Sequence, residues 1–554
     1  MIVSVNMKNK LLLFLVIFLA IFSASNLFRP GYFPMHDDMQ AMRLLQMEKC
    51  IDDGQIPCRW VPDMGYGYGY PQFNFYGPFP YYISYLFRPF GLSALGSVKA
   101  GFVLANLVAG LGIFILARSL FGAAAGFLGA LLYLYAPYRA VDFYVRGAFS
   151  ELWALSLFPW IFLGIKQVAE RKKYSEIWLA LSLGALLTTH NISSLMIAPF
   201  AFAWAVALLY QNKRYFKSAF LRLSLSGIWG VFLSSYYLLP VWFEKQYVHT
   251  ETLLMGYFDY HRHFVSISQL LFNTFWGYGT SELGVYDGMA LSIGILIWSL
   301  AFVSALLLLV SQKYKKYVFV ILFLTSGFIS LFMAHSRSVI FWDSLPLMAY
   351  FQFPWRFLAP ATFFLSLAAS SLTIHFRAKK YLLLVLASLT LIFYANYHKP
   401  QRWIEINDEQ KFSGENWRLQ QTISIYDYLP IYAQRPPSER APNTLIPIEG
   451  EILVNQKSAG TDWLRYEVKI ISESAVFQIP QFYFPGWKVF ANSTSKPISY
   501  NNKLGLMQFQ LERGDHIIEA KLLDTSIRKL GNILSLVGLV FVPIYLLILR
   551  KIKR

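Results

Sequence analysis

This sequence predicts an all-α polytopic membrane protein with one small β domain placed before its last helix. Three observations predict it. Of 554 residues, 56% are hydrophobic and only 14% charged, and mean hydropathy is +0.42, a composition rare in soluble domains. The apolar residues gather into about twelve runs of membrane-spanning character. The basic clusters between those runs fall on one side of the membrane when the spans are counted in order. The formal charge of +18 thus follows topology, and no nucleic-acid partner is expected.

The runs lie near 11–28, 98–118, 122–137, 149–167, 176–189, 194–210, 218–240, 288–311, 317–334, 357–376, 381–397 and 530–549. Those around 176–210 are short and read as tilted or broken. The basic clusters are Lys8 with Lys10, Arg171-Lys172-Lys173, Lys213-Arg214 with Lys217, and Lys313 with Lys315-Lys316. They recur at Arg377 with Lys379-Lys380, and at Arg550-Lys551 with Lys553-Arg554. The positive-inside rule makes their side cytoplasmic, together with both termini. Segments 29–80, 241–287 and 398–528 then face outward. The first run also has features of a signal peptide, MKNK before it and FSAS behind it. Its length favours a retained span.

Residues 1–397 read as the membrane domain. Residues 398–528 read as an extracytoplasmic β domain, most simply a sandwich, and 529–554 as a last helix with a basic tail. The strand candidates are EILVNQ, WLRYEVKIIS, AVFQIP, KVFAN, LMQFQLE and HIIEAKLL, separated by turn signals such as SAGTD, ANSTS, NNKLG and ERGD. Both cysteines, Cys50 and Cys58, lie in the first outward loop. Two thiols eight residues apart in an oxidising compartment suggest a disulfide, against the plainer reading of two free thiols. P-loop and Rossmann fingerprints are missing, so ATP-driven transport and nicotinamide chemistry have no support.

The chemistry-bearing residues cluster at outward span ends. His36, Asp37 and Asp38 follow the first run and precede the amphipathic pattern AMRLLQMEK. An aspartate there can cap a helix. Two carboxylates at an interface can instead supply a general base, or hold a divalent cation between them. The loop RWVPDMGYGYGYPQFNFYGPFPYYIS has neither helical nor strand period. It reads as an ordered loop dipping toward the bilayer, its aromatic rings suited to sugars, to an isoprenoid tail or simply to an interfacial belt. In YRAVDFYVRGAFSE, Asp142 and Arg146 are four apart and Glu151 opens the next run. A helical ion pair is the bland reading. Arg139, Arg146, Arg262, Arg337 and Arg356 stand on the side where positive charge is disfavoured. Arg356, in FPWRF, and Arg262 with His263, in HRHFV, need anionic partners, and the guanidinium fork matches phosphate. His190, in TTHNISS, ends another run and is as readily a satisfied polar residue as a ligand.

The order of these motifs resembles the C-type (GT-C) glycosyltransferase superfamily. The motifs are an acidic stretch after the first span, an aromatic loop, a YxxxDxxxRGxxxE segment, HRHFVSISQLL, FPWRF, and FPGWKVF with LERGDHIIEA before a last span. More narrowly it resembles bacterial membrane proteins labelled pyruvoyl-tetrahydropterin-synthase-related, and the YfhO-like proteins. The resemblance covers nearly the whole chain. It implies a GT-C-like fold in a bacterial cytoplasmic (inner) membrane, a polyprenyl-phosphate sugar donor and an extracytoplasmic acceptor that is a glycan, lipid or protein. Carried over, Asp37 becomes the catalytic base and Asp38 its partner or a metal ligand. Arg146 and Arg356 would meet the leaving phosphate, with His36, Asp142, Glu151, His190, Arg262 and His263 around the substrates. HDD stands where a spaced DxD would hold metal, so no cofactor is fixed and Mg or Mn stays open. A lipid-linked glycan transporter or flippase, and a non-catalytic envelope-assembly protein, are the rival readings.

Overall fold

The computed structural model describes residues 7–284, 287–310, 317–376 and 378–551. Each of the twelve apolar runs coincides with a helix. In chain order the principal helices are α1 (Met7–Phe22), the outward amphipathic α2 (Gln40–Asp52), α3 (Ala94–Phe121), α4 (Ala123–Leu134), α5 (Phe149–Ala169), α6 (Ser175–Leu187) and α7 (Asn191–Gln211). They continue as α8 (Phe216–Glu244), α9 (Ile295–Val310), α10 (Val318–Ala334), α11 (Val339–Ser344), α12 (Leu358–Ser370), α13 (Lys379–Tyr394) and α14 (Ser526–Lys551). Among the described residues seven helices are long and apolar enough to cross a membrane alone, and an eighth span is possible where α10 turns by 90° into the helix after it. Helices α1, α4, α6 and α9 are shorter. At 1.5 Å per residue the 12 to 16 residues of α4, α6 and α9 reach about 18–24 Å, against a core of ~30 Å. Each run thus located a helix, and among the described residues these three are shorter than a straight span.

Helix α12 is buried along its whole length, while α14 exposes Leu530, Ile533, Leu536, Val537 and Val540 to the surroundings. The first is central to the bundle and the last is peripheral. The basic clusters around 171 and 214 adjoin one another, Arg171 standing 4.9 Å from the Tyr215 ring. Lys313, Lys315, Lys316, Arg377, Lys553 and Arg554 lie outside the described residues. The three long polar segments also meet on one side. Tyr32 bridges Ile404 and Val248 bridges Pro430 as isolated antiparallel pairs, and Tyr278 OH donates to Lys399 O at 2.8 Å.

The C-terminal strands form one antiparallel sheet, not a sandwich. They are β1 (Ile446–Glu449), β2 (Ile452–Ala459), β3 (Trp463–Phe482), β4 (Trp487–Ala491), β5 (Thr494–Lys496) and β6 (Leu506–Leu522), in the order β1-β3-β6-β4-β5 with β2 also on β3. WLRYEVKIIS and AVFQIP, expected as two strands, are one. So are LMQFQLE and HIIEAKLL, and ERGD lies inside β6 instead of at a turn. The register between β3 and β6 shifts between Ile470 and Ser474, opposite Gly514 and Glu512. Such a bulge bends a long ribbon without breaking it. Residues 398–445 precede the sheet and carry two short helices, Asp408–Lys411 and Gly414–Thr422.

The second layer that a sandwich would need is supplied by the aromatic loop. Trp60, Tyr68 and Phe75 share one core with the sheet's buried residues. Trp60 is fully buried, with its ring 5.7 Å from Trp487 and 5.9 Å from Phe484. The loop thus packs on the sheet at its start, while Phe79 and Tyr81 lie against Trp153 and Phe149 of α5, with ring centres 5.7 Å apart in each pair. Gly69 shows why glycine is used there: φ is +77°, and a Cβ would fall 2.4 Å from Trp60 Nε1. Cys50 and Cys58 are disulfide-bonded and tie the end of α2 to the start of this loop.

Trp60→Ala removes a ring shared by both layers and is expected to destabilise the protein by about 3–5 kcal/mol. Phe202→Ala, at a site 72% exposed on α7, should change little. Thermal unfolding of both variants in the same detergent checks the contrast.

Candidate active site

The site starts at the turn before α2. The amphipathic helix buries Met42, Leu44 and Met47 and, beside them, Gln40, Arg43 and Gln46. Met39 occupies the cap position and no side chain caps the helix, so neither aspartate serves as the cap the pattern suggested. Asp37 instead receives Gln40 Nε2 at 2.8 Å and Arg43 Nη1 at 3.0 Å on Oδ2. Oδ1 also accepts Arg43 Nη1 at 3.2 Å, and the side chain stays 33% exposed, against 30% for Asp38. Gln40 is held in turn by Tyr81 OH at 2.5 Å, and Arg43 lies 4.0 Å from the Tyr76 ring centre. Asp38 diverges from its neighbour: Oδ2 accepts Lys411 Nζ at 2.7 Å and its carbonyl accepts Gln420 Nε2 at 2.9 Å. Burial raises the Asp38 carboxyl pKa, and Lys411 acts against that.

The second outward segment is docked onto this turn by backbone. His36 N donates to Val145 O at 3.1 Å and Asp37 N to Arg146 O at 2.9 Å. Gln40 Nε2 also donates to Gly147 O at 2.9 Å. Tyr138, Asp142 and Arg146, spaced by four, converge with Glu151. Arg146 Nη1 donates to Asp142 Oδ1 and, at 2.9 Å, to Glu151 Oε2. Tyr138 OH donates to Glu151 Oε1 at 2.6 Å. Arg356 approaches the same carboxylate, Nε to Oε2 at 3.5 Å, while its Nη1 donates to Phe351 O and Gln352 Oε1, each at 2.8 Å. The Arg146 guanidinium lies 4.6 Å from the Trp355 ring centre.

Burial and the neighbouring Glu151 charge push the Asp142 carboxyl well above its ordinary pKa. Arg146 and Arg356 both face the Glu151 carboxylate. His190 caps α7, its Nδ1 accepting from Ser193 N at 3.3 Å, which leaves the neutral ring's proton on Nε2. Burial drives its pKa down to about 4, Arg356 and Arg146 reinforcing and Glu151 opposing. Asp37 also acts on this ring, so the two outward motifs share one electrostatic site.

Asp37, Asp142, Arg146, Glu151, His190 and Arg356 are thus gathered. His36 lies beside them, its Nε2 bonded to Tyr278 O at 3.0 Å. Arg262 is exposed and stands away from this hydrogen-bond network. His263 supports it from behind: Nδ1 meets Ser281 Oγ at 2.8 Å and Nε2 meets Tyr257 O at 2.6 Å, and Ser281 Oγ also receives Trp355 Nε1 at 3.0 Å. Sequence reasoning passed over Gln40, Arg43, Tyr81, Lys411 and Trp355. Only Arg43 carried a signal, an arginine on the buried face of an amphipathic helix. Among the described residues no three His, Cys, Asp or Glu side chains form a metal-binding group. The carboxylates of Asp37 and Asp38 each face a protein cation, so the pair does not fit the divalent-metal role.

The family model described as 6-pyruvoyl-tetrahydropterin synthase related domain, membrane protein, matches residues 73–398. The chain belongs to this family. No curated protein matches the sequence. Solved structures that resemble the chain include arabinofuranosyltransferase AftD from Mycobacteria, 13% identical with a TM-score of 0.42, covering 73% of this chain and 28% of that one. The oligosaccharyltransferase AglB from Archaeoglobus fulgidus, solved with an inhibitory peptide and a dolichol-phosphate, is 13% identical with a TM-score of 0.41. It covers 80% of this chain and 62% of that one. This chain thus spans less than two thirds of either. In this member of the pyruvoyl-tetrahydropterin-synthase-related family, the matched region holds the Arg146, His190 and Arg356 cluster, and Asp37 precedes it.

Gly147 is where the two motifs meet. Its φ is +60°, and a Cβ would lie 2.1 Å from Met35 Sδ. Gly147→Ala is expected to cost about 1–3 kcal/mol and to loosen the site. Gly227→Ala, where a Cβ meets nothing within 4 Å inside α8, should be neutral or slightly stabilising. Thermal melts of the two variants test this.

Proposed function

We propose that the protein is a membrane glycosyltransferase that moves a sugar from a polyprenyl-phosphate donor to an extracytoplasmic acceptor. The observation that carries this reading is the juxtaposition of a half-open, doubly hydrogen-bonded carboxylate, Asp37, with the Arg146 and Arg356 guanidinium groups gathered at Glu151. Asp37 takes the proton of an acceptor hydroxyl, and the freed oxygen bonds to the anomeric carbon. The bond from that carbon to the phosphate oxygen breaks, and its electron pair leaves with polyprenyl phosphate. Arg146 and Arg356 face the charge that grows on the leaving phosphate, where preorganised cations act most strongly. His190, neutral with its proton on Nε2, offers a further donor to that oxygen. Arg43 and Gln40 hold Asp37 in place, and Lys411 keeps Asp38 out of the proton transfer. The outward side of a bacterial inner membrane is the setting this chemistry needs, because the motifs lie opposite the basic clusters.

The test is purified protein with a labelled polyprenyl-phosphate sugar, followed by release of polyprenyl phosphate. Asp37→Asn keeps the size and most hydrogen bonding but cannot take a proton, so turnover should fall by roughly 10²–10⁴-fold with folding intact. Arg356→Lys keeps charge and loses the planar fork, so the donor KM should rise by about tenfold. Full turnover in Asp37→Asn overturns the base assignment. Movement of the intact lipid-linked sugar across vesicles, without release, would favour a transporter.

A further inference from the structure

The sheet carries a cleft of about 380 Å³ that the proposed reaction does not use. It is lined by Tyr68 from the aromatic loop, Arg435 and Glu439 from the stretch before β1, Gln478 of β3, and Asn502 and Lys503 from the β5–β6 connection. Backbone hydrogen bonds fix these segments to one another. Gln434 N donates to Lys503 O at 3.1 Å, Ala441 N to Tyr66 O at 3.0 Å and Phe482 N to Tyr68 O at 2.9 Å. Pro436 and Pro437 also line the cleft, and their fixed φ stiffens that wall. Asn502 closes its own turn, with Nδ2 donating to Leu506 O at 2.8 Å and Oδ1 accepting from Leu506 N at 2.9 Å. Tyr68 stacks on Phe482, ring centres 5.4 Å apart. The charged groups take no part in this framework. Arg435, Glu439 and Lys503 are exposed, and among the described residues none of the three side chains enters an ion pair or a hydrogen bond. Three half-buried tyrosines adjoin the cleft. Tyr483 stacks on Tyr500 at 3.9 Å, and Tyr432 meets them edge-on at 4.9 and 4.8 Å. Gly505, next to the lining residue Leu504, runs so close to Tyr432 that a Cβ would fall 2.6 Å from its carbonyl carbon.

We infer that this cleft binds an acidic oligosaccharide, the chain that carries the acceptor hydroxyl. The acceptor role rests on the glycosyltransferase reading; the binding does not. Apolar ligands take pockets lined mainly by hydrophobic side chains, whereas this lining is dominated by charged and amide groups on a stiff frame. Sugar hydroxyls both donate and accept, so they can use Glu439 on one side and Arg435, Lys503 and Gln478 on the other. The two cations outnumber the one carboxylate, and the Arg435 fork matches a uronate carboxylate. The tyrosine cluster extends the cleft with rigid amphipathic rings on which a sugar ring can lie. No bond forms or breaks in the cleft; it holds the chain. The aromatic loop joins it to the transfer site: Tyr66 N donates to Gln421 O at 3.0 Å, and the adjacent Gln420 donates to Asp38 O at 2.9 Å.

Calorimetric titration of the whole protein in phosphatidylcholine nanodiscs tests the cleft, with tetragalacturonate as the acidic probe and maltotetraose as the neutral one. Tetragalacturonate should bind about tenfold more tightly than maltotetraose. Arg435→Ala and Lys503→Ala, both at exposed positions that folding tolerates, should each weaken it about tenfold. Arg440→Ala removes the same charge from an exposed neighbour outside the lining and should weaken it by less than about twofold, because salt screens charges that do not touch the ligand. No binding of tetragalacturonate, equal binding of maltotetraose, or an equal loss in Arg440→Ala and Arg435→Ala overturns the inference. With a labelled polyprenyl-phosphate sugar as donor, tetragalacturonate should speed release of polyprenyl phosphate, and Arg435→Ala should raise its KM about tenfold with kcat held. A lower kcat at unchanged KM overturns the acceptor role. Binding at the cleft in a protein that releases no polyprenyl phosphate would uphold the cleft and sink the glycosyltransferase reading instead.

Discussion

Two backbone hydrogen bonds, from His36 N to Val145 O and from Asp37 N to Arg146 O, hold the candidate site together. They belong to loops more than a hundred residues apart. Backbone donors this deep must find partners. By satisfying one another they fix the direction of Asp37 on one side and of Arg146 on the other. The side chains then need little adjustment. Gln40 reinforces the same contact by reaching Gly147 O, and Tyr81 holds Gln40.

Around that contact the protein places its charges in matched sets. Glu151 opens α5 and receives Arg146, Tyr138 and Arg356. A lone carboxylate buried there would be prohibitive, and a lone arginine nearly so. A second set stands where α8, α14 and the sheet meet: Glu244 accepts from Arg528 Nε at 2.9 Å, Asn74 Nδ2 at 2.9 Å and Thr525 Oγ1 at 2.6 Å. The first set has the partly exposed Asp37 carboxylate beside it. The second anchors the last helix.

The sheet does not stand apart from the bundle. Trp60, Tyr68 and Phe75 are part of its core, and the segment leading to it supplies Lys411 to Asp38. The first loop is thus shared, its start facing the charge cluster and its aromatic end facing the sheet.

Much was legible in the sequence because it is local. Apolar run length decides where helices form, so all twelve runs met a helix. The four-residue spacing of Tyr138, Asp142 and Arg146 put them on one face, and the charge count put every motif on one side. What the sequence left open depends on partners far along the chain. Whether six strands make one layer or two is decided by what covers their apolar face, and an aromatic loop some four hundred residues earlier covers it. Asp37 and Asp38 part company through their partners, Arg43 six residues along and Lys411, 373 residues from Asp38. Nothing beside Lys411 in the sequence marks it as the partner of Asp38, since a charge declares its role only through its neighbours. Periodicity and hydropathy act within a few turns of chain, whereas ion pairs and layer packing are settled only when distant segments fold together.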